Sequence, residues 1–135
     1  MNYNIEEIEG IGVVYTEQLA AAGIKTTDDL LEACCDPKGR KHVSEITGVS
    51  ERLLLKWANM ADLMRIPGIG PEYAELLESA GVDTVKELRN RVAENLATKM
   101  TKVRDQKRLT RKSPDVSTIQ GWIDQAKRLE PRLTY

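Results

Sequence analysis

The sequence predicts an all-α protein made of two pseudo-symmetric halves of about five short helices each. Three observations carry this. First, the stretch Ile66-Pro67-Gly68-Ile69-Gly70 has a counterpart 58 positions earlier, Ile8-Glu9-Gly10-Ile11-Gly12. At the same offset Tyr15, Leu19, Gly23, Ile24, Thr26 and Leu30 fall on Tyr73, Leu77, Gly81, Val82, Thr84 and Leu88. Second, the chain is 41% apolar but only 4% aromatic, with no Phe, so its core must be Leu, Ile, Val, Ala and Met, a composition that suits helices. Third, no run alternates with period two for long enough to make a strand. A length of 135 residues fits one ordinary domain or two small repeats sharing a core.

The elements follow in order. Asn4 with Glu7 reads as a capping box opening a short first helix, which stops at Glu9-Gly10. A second helix runs from about Val13 to Ala22, with Val14, Leu19 and Ala22 at helical spacing, and Gly23 ends it. Thr26 or Thr27 caps a third helix through about Cys35, with Asp28 and Asp29 where the dipole favours them. Asp36-Pro37-Lys38-Gly39 reads as a turn. A fourth helix covers about Arg40 to Thr47, and Gly48 stops it. After Val49-Ser50 a fifth helix runs from Glu51 to about Met64, turning Leu54, Trp57, Ala58 and Ala61 inward. Pro67 is tolerable because the helix has ended by then.

The second half repeats the plan. Pro71 suits a first helical position. Its helix runs to Ala80, and Gly81 ends it. Thr84 and Glu87 open a helix to about Val92. Residues 93–112 read as a less regular, partly extended segment, and Ser113-Pro114 breaks the chain. Ser117 with Gln120 caps a last helix through about Leu129, which Pro131 closes. This helix copies the fifth at an offset of 65: Leu54, Trp57, Ala58, Ala61 and Met64 fall on Ile119, Trp122, Ile123, Ala126 and Leu129. Seven residues have therefore entered before it. The boundaries are 1–64 for the first repeat and 65–135 for the second, packed as one unit.

Two glycines flanking an isoleucine, followed by a helix and a further glycine, make a helix, a tight turn and a helix. Glycine allows positive φ and close approach of another backbone or a phosphate, and the isoleucine can plug the core beneath. This pattern resembles the helix-hairpin-helix family, and its duplication resembles small tandem helix-hairpin-helix (SAM-like) proteins with no established function. The resemblance covers nearly the whole chain. It implies nucleic-acid backbone binding without sequence readout, through amides around Gly10, Ile11 and Gly12 and around Gly68, Ile69 and Gly70. Some members hold a monovalent cation in the corner carbonyls, and this sequence leaves that open. DNA-binding members commonly carry Lys or Arg just after the second glycine. Here those positions hold Val13 and Val14, and Pro71 and Glu72. Glu9, Glu72 and Glu75 also oppose a phosphate. Gly81-Val82-Asp83-Thr84 resembles the catalytic Val-Asp-Thr of base-excision glycosylases built on this hairpin, but the lysine and recognition pocket are missing, and Lys25 stands at the equivalent of Asp83.

The net charge is −1, whereas a dedicated DNA-coating protein would be basic. The charge is segregated. Residues 1–35 carry seven acidic groups and one lysine, while residues 99–112 carry seven basic groups (Lys99, Lys102, Arg104, Lys107, Arg108, Arg111, Lys112) and one acid, Asp105. The basic run is the second candidate for backbone contact, with salt-sensitive affinity. Its alternative role is to pair with the acidic half. No aromatic interleaves it, which argues against base stacking.

Trp57 and Trp122 read as core, and His42 as a surface residue. Cys34 and Cys35 are adjacent and read as free thiols, which suits a reducing cytoplasm. No signal peptide or membrane span is expected, and no cofactor, metal site or catalytic constellation appears. The expectation is thus a non-enzymatic binding protein of the cytoplasm. Its partner is DNA or RNA backbone, through the second hairpin and 99–112, or alternatively another protein. A continuous positive face joining Gly70 to Arg108 favours nucleic acid, and a segregated dipole favours protein.

Overall fold

The computed structural model describes residues 2–107 and 113–135. Among them are a 3-10 turn at Ile5–Glu7 and eight α-helices: α1 (Val13–Ala20), α2 (Thr27–Ala33), α3 (Pro37–Thr47), α4 (Glu51–Leu63), α5 (Pro71–Ser79), α6 (Val85–Arg89), α7 (Ala93–Lys107) and α8 (Val116–Arg128). No strand forms among the described residues, and a lone bridge joins Asn4 to Thr26.

Four starts, those of the 3-10 turn, α2, α4 and α6, are the capped ones that the sequence announces. The Glu7 carboxylate accepts from the Asn4 amide at 3.0 Å. The Thr26 hydroxyl accepts from the Asp29 amide at 3.2 Å, while the Asp29 carboxylate accepts from the amides of Lys25 and Thr26. The Lys25 amide chiefly, helped by Thr26, holds the Asp29 carboxyl below its ordinary value. Ser50 and Thr84 cap α4 and α6 in the same way, accepting from Leu53 and Glu87.

Four expectations are corrected. Asp36-Pro37-Lys38-Gly39 is a helix start instead of a turn: the Asp36 carboxylate accepts from the Gly39 amide at 2.6 Å, and Pro37 takes the first helical position. The last helix is capped by Asp115, which accepts from the Thr118 amide at 2.8 Å, so Ser117 lies inside the first turn. Residues 93–107 form a regular helix, because Ala93, Leu96, Met100 and Val103 make a buried stripe at intervals of three and four that the surrounding charges obscured. Finally, the second half holds four helices among the described residues. The end of α4 delivers the chain to the second corner, and Leu63 and Ile66 are buried where Ile5 and Ile8 are buried in the first half.

The two glycine corners have one backbone geometry. Gly10 and Gly68 have φ of 94° and 95°. Gly12 and Gly70, which precede α1 and α5, have φ, ψ of −87°, −170° and −92°, −171°. Over each corner lies a tryptophan. A Cβ on Gly10 would sit 3.6 Å from Nε1 of Trp57, and one on Gly68 would sit 3.0 Å from Nε1 of Trp122. Each indole meets a tyrosine of the helix that follows the corner: Tyr15 to Trp57 with ring centroids 5.0 Å apart, Tyr73 to Trp122 at 5.2 Å. Both tryptophans are buried, as the sequence requires.

The core is one continuous cluster through both halves. Helix α4 lies at its centre, packing on α2 and α3 on one side and on α5 and α6 on the other. Residues 57–63 of α4 are all buried, including the polar Asn59 and Asp62. Each of these has a partner: Asn59 accepts from the Tyr135 hydroxyl at 3.0 Å, and Asp62 pairs with Arg65 at 2.6 Å. The segment after α8 returns to the first half. The Thr134 amide donates to the Cys35 carbonyl at 2.8 Å, and buried Arg40 donates to the carbonyls of Cys34 and Thr134.

Two consequences for stability follow. Gly10→Ala is expected to cost about 1–2 kcal/mol for its left-handed backbone. Gly68→Ala is expected to cost more, because its methyl group must also displace the nearer indole. Urea midpoints at unchanged m check the order, and equal midpoints would contradict the tighter packing at Gly68. Arg40→Met should lower stability by about 1.5–3 kcal/mol through loss of charge-assisted hydrogen bonds, and Thr134 should lose amide-exchange protection with it.

Candidate functional site

The middle residue of each corner is committed inward. Ile11 and Ile69 are 4% and 0% exposed. Their amides donate to the carbonyls of Ile8 and Ile66 at 3.1 and 3.0 Å. Of the corner amides proposed to reach a phosphate, the central one in each copy is therefore used within the turn. What distinguishes the corners is their surroundings.

The second corner is covered. The hydroxyl of Tyr3 stands 3.5 Å from where a Cβ on Gly70 would be, so the amino-terminal segment lies across it. The cleft between them, about 320 Å³, is lined by Glu7, Gly70, Pro71, Glu72 and Tyr73. Two carboxylates thus flank the start of α5. They complement its dipole and oppose an incoming phosphate.

The first corner is open. Nothing lies within 4 Å of a Cβ placed on Gly12. A shallow groove of about 470 Å³ runs beside it, lined by Glu6, Ile11, Gly12, Val13, Thr16 and Glu17. Val13 and Val14 are 76% and 67% exposed, the two most exposed aliphatic side chains among the described residues. The helical spacing assigned Val14 to the core with Leu19. Only Leu19 is buried: Tyr15, four residues before it, shares its core-facing side of α1, and Val14 falls on another face. Glu6 and Glu17 make the groove's lining acidic, and exposed Glu9 precedes the corner in the chain. The signal for this surface was present in the sequence as two adjacent β-branched residues in place of the expected cation.

Of the basic run, Lys99 is placed at the far end of α5 from the second corner. The Arg91 guanidinium donates to the Gly81 carbonyl at 3.0 Å. Lys99 Nζ lies against the same glycine, 3.4 Å from its would-be Cβ. Gly81 follows the far end of α5, so the nine residues of that helix set Lys99 about 13 Å along the axis from Gly70. Arg104 pairs with Asp105 at 2.8 Å. Lys102 is exposed and without an ion pair among the described residues. Lys107 ends α7, and nothing is stated of its side chain. Arg108, Arg111 and Lys112 lie outside the described residues. Residues 1–64 carry 11 acidic and 6 basic groups, and residues 65–135 carry 10 and 14. The charge is thus divided unequally between the halves.

Among the described residues no three His, Cys, Asp or Glu side chains gather as metal ligands, and no helix is long and apolar enough to cross a membrane. Both cysteines are free thiols, Cys34 buried and Cys35 half-buried. Burial pushes the Cys34 thiol up to about 11, against the opposing pull of the Arg40 charge. It is a packing residue without nucleophilic character at neutral pH.

Residues 9–129 match the model of a protein family described as a domain of unknown function (DUF4332). No curated protein and no solved structure matches the chain.

The thiols give a pH prediction. The ordinary value for Cys34 is 9.0, so between about pH 9 and 11 the unfolded chain loses that proton while the folded chain keeps it. The folded state then binds more protons, and stability falls as pH rises through this window. Native protein at pH 8 should react with a thiol reagent at Cys35 first and at Cys34 only on unfolding. Equal native rates would contradict the burial.

Proposed function

The chain belongs to this family of unknown function, and we propose that it is a non-enzymatic binding module whose open first corner docks a protein partner. Its architecture is read as two helix-hairpin-helix units, residues 1–64 and 65–135. Matching φ values at Gly10 and Gly68, matching starts to α1 and α5, and the paired Trp–Tyr contacts support that reading.

The observation that carries the proposal is the contrast between equivalent positions. Val13 and Val14 stand in solvent beside an open groove, whereas the equivalent positions hold a half-buried Pro71 and a charged Glu72 at a corner where Tyr3 lies across Gly70. Exposed aliphatics next to a groove are a docking feature when a rim of one charge surrounds them. The acids beside the valines here are Glu6 and Glu17. The fitting partner is an apolar segment flanked by lysine or arginine, with the charges setting orientation and encounter rate more than affinity. The corner itself then serves as a rigid base. Its glycine holds the turn, and the valines provide the contact.

A second reading retains nucleic-acid backbone binding, moved from the corners to the basic half. Exposed Lys102 on α7 and the excess of basic groups in residues 65–135 favour it. Binding of this kind would carry no base readout and would weaken steeply with salt.

One titration series separates the two. A fluorescent amphipathic Leu/Lys peptide, a Leu/Glu peptide and a short random DNA duplex are each titrated at low and moderate salt. Docking at the first corner predicts binding of the Leu/Lys peptide only, weakened about tenfold, or ~1.4 kcal/mol, by Val13→Asp with Val14→Asp. Those residues are exposed, so the variant folds. Duplex binding that survives this double change and disappears with Lys102→Glu would overturn the docking assignment and establish the second reading.

A further inference from the structure

A partner for the first corner must offer apolar groups flanked by cations, and the second half of the chain itself carries such a surface. A shallow hollow of about 130 Å³ opens between α6, the end of α4 and the segment after α8. Buried Val85 and Leu133 and exposed Pro131 and Tyr135 give it an apolar lining. Tyr135 is 69% exposed, which places it between Val13 and Val14.

That exposed ring is held in place. Its hydroxyl donates to buried Asn59 at 3.0 Å. The backbone just before it is tied down as well: the Thr134 amide donates to Cys35, and the Thr134 carbonyl accepts from buried Arg40. An aromatic ring already fixed in solvent loses little freedom on contact, and tyrosine is one of the residues that anchor interfaces.

The charges around the hollow are not used within the chain. Lys86 and Arg89 stand three apart on α6, and Arg132 joins them from the segment after α8. None of these cations forms an ion pair among the described residues. Of the two acids in the same lining, Asp62 is taken by Arg65 at 2.6 Å, which leaves Glu130. At the first corner the sign is reversed. Glu6 and Glu17 line the groove beside the valines, and they too have no ion pair among the described residues.

These two surfaces share no residue, and they can meet between copies in three ways. Corner on corner sets Glu6 and Glu17 against themselves. Hollow on hollow does the same with Lys86, Arg89 and Arg132. Corner on hollow alone joins opposite charges, and like-charge contacts are strongly disfavoured at an interface. Resting on the docking of a protein at the first corner, we infer that its partner is a second copy of this chain. Val13 and Val14 of one copy seat against Pro131 and Tyr135 of the next, with Glu6 and Glu17 facing Lys86, Arg89 and Arg132. The contact joins unlike surfaces, so it repeats from copy to copy. It gives a ring if the rotation closes and an open row if it does not.

The test measures the mass of the full chain by sedimentation, from about 10 μM to about 1 mM and at low and moderate salt. Average mass is expected to rise above the monomer with concentration, and less so as salt rises. Two surface variants then separate the contact into its sides: Val13→Asp with Val14→Asp, and Lys86→Glu with Arg132→Glu. All four positions are exposed, so both variants fold. Each alone should be monomeric. Mixed in equal amounts, they should form a one-to-one dimer and nothing larger, because one intact corner and one intact hollow remain. Self-association surviving in either variant, or a mixture that stays monomeric, would overturn the assignment. A wild-type chain that stays monomeric yet binds the Leu/Lys peptide overturns self-docking and leaves the docking of another protein standing. A monomeric chain that binds no peptide overturns both.

Discussion

The structure depends on an indole laid over a glycine that no other residue could replace cheaply. At Gly10 and Gly68 the backbone lies in the left-handed region, and the missing Cβ leaves room for Trp57 and Trp122. The two requirements reinforce each other. A side chain at either corner would strain φ and lift the ring at once. The ring in turn belongs to a helix from elsewhere in the half, α4 or α8, so the contact fixes where that helix must cross the corner. Tyr15 and Tyr73 hold the indoles from the edge. These four are most of the chain's six aromatics, and aliphatic side chains fill the core between them.

Helix α4 turns this local device into a single core. Its Trp57 serves the first corner, and its end delivers the chain to the second. A helix packed on both sides must be apolar nearly all round, and residues 57–63 are. The exceptions are informative. Asn59 and Asp62 are buried and polar, and each is satisfied by a group close to the segment after α8 or to the second corner. With Arg40 holding the carbonyl of Thr134, these contacts bind the chain's last turn to its first half. Conformational specificity here rests on a few buried polar contacts placed where the two halves meet.

Much of this was legible from residue types. Glycine, proline and the capping residues punctuate the chain, and the helices fall between them. Both tryptophans and the buried isoleucines of the corners followed from the internal correspondence. The misses share a physical cause: a local cue read without its neighbours. Asp36-Pro37 is equally a turn and a helix start, and only the packing of α3 decides. The stripe Ala93, Leu96, Met100 and Val103 is thin against seven charges, so α7 looked irregular. Val14 is five residues from Leu19, and the core-facing side of α1 is the one that Tyr15 and Leu19 share. Long-range placement was beyond a sequence reading altogether: nothing local announces Tyr3 across Gly70 or Lys99 beside Gly81.

The contrast between the corners bears on how such a turn acquires a partner. A helix start offers partial positive charge to any anion. That offer is common to both corners here, and the neighbouring side chains determine what it can attract. At the second, Glu7 and Glu72 stand at the start of α5 and satisfy the dipole from within the chain, while Tyr3 takes the space above Gly70. At the first, Glu6 and Glu17 line the groove and Val13 and Val14 stand exposed, and on the proposed reading desolvating that surface favours an apolar contact over a phosphate. Glycine geometry alone therefore carries no ligand preference. The preference lies in the two residues after the second glycine and in whatever the rest of the chain lays over them.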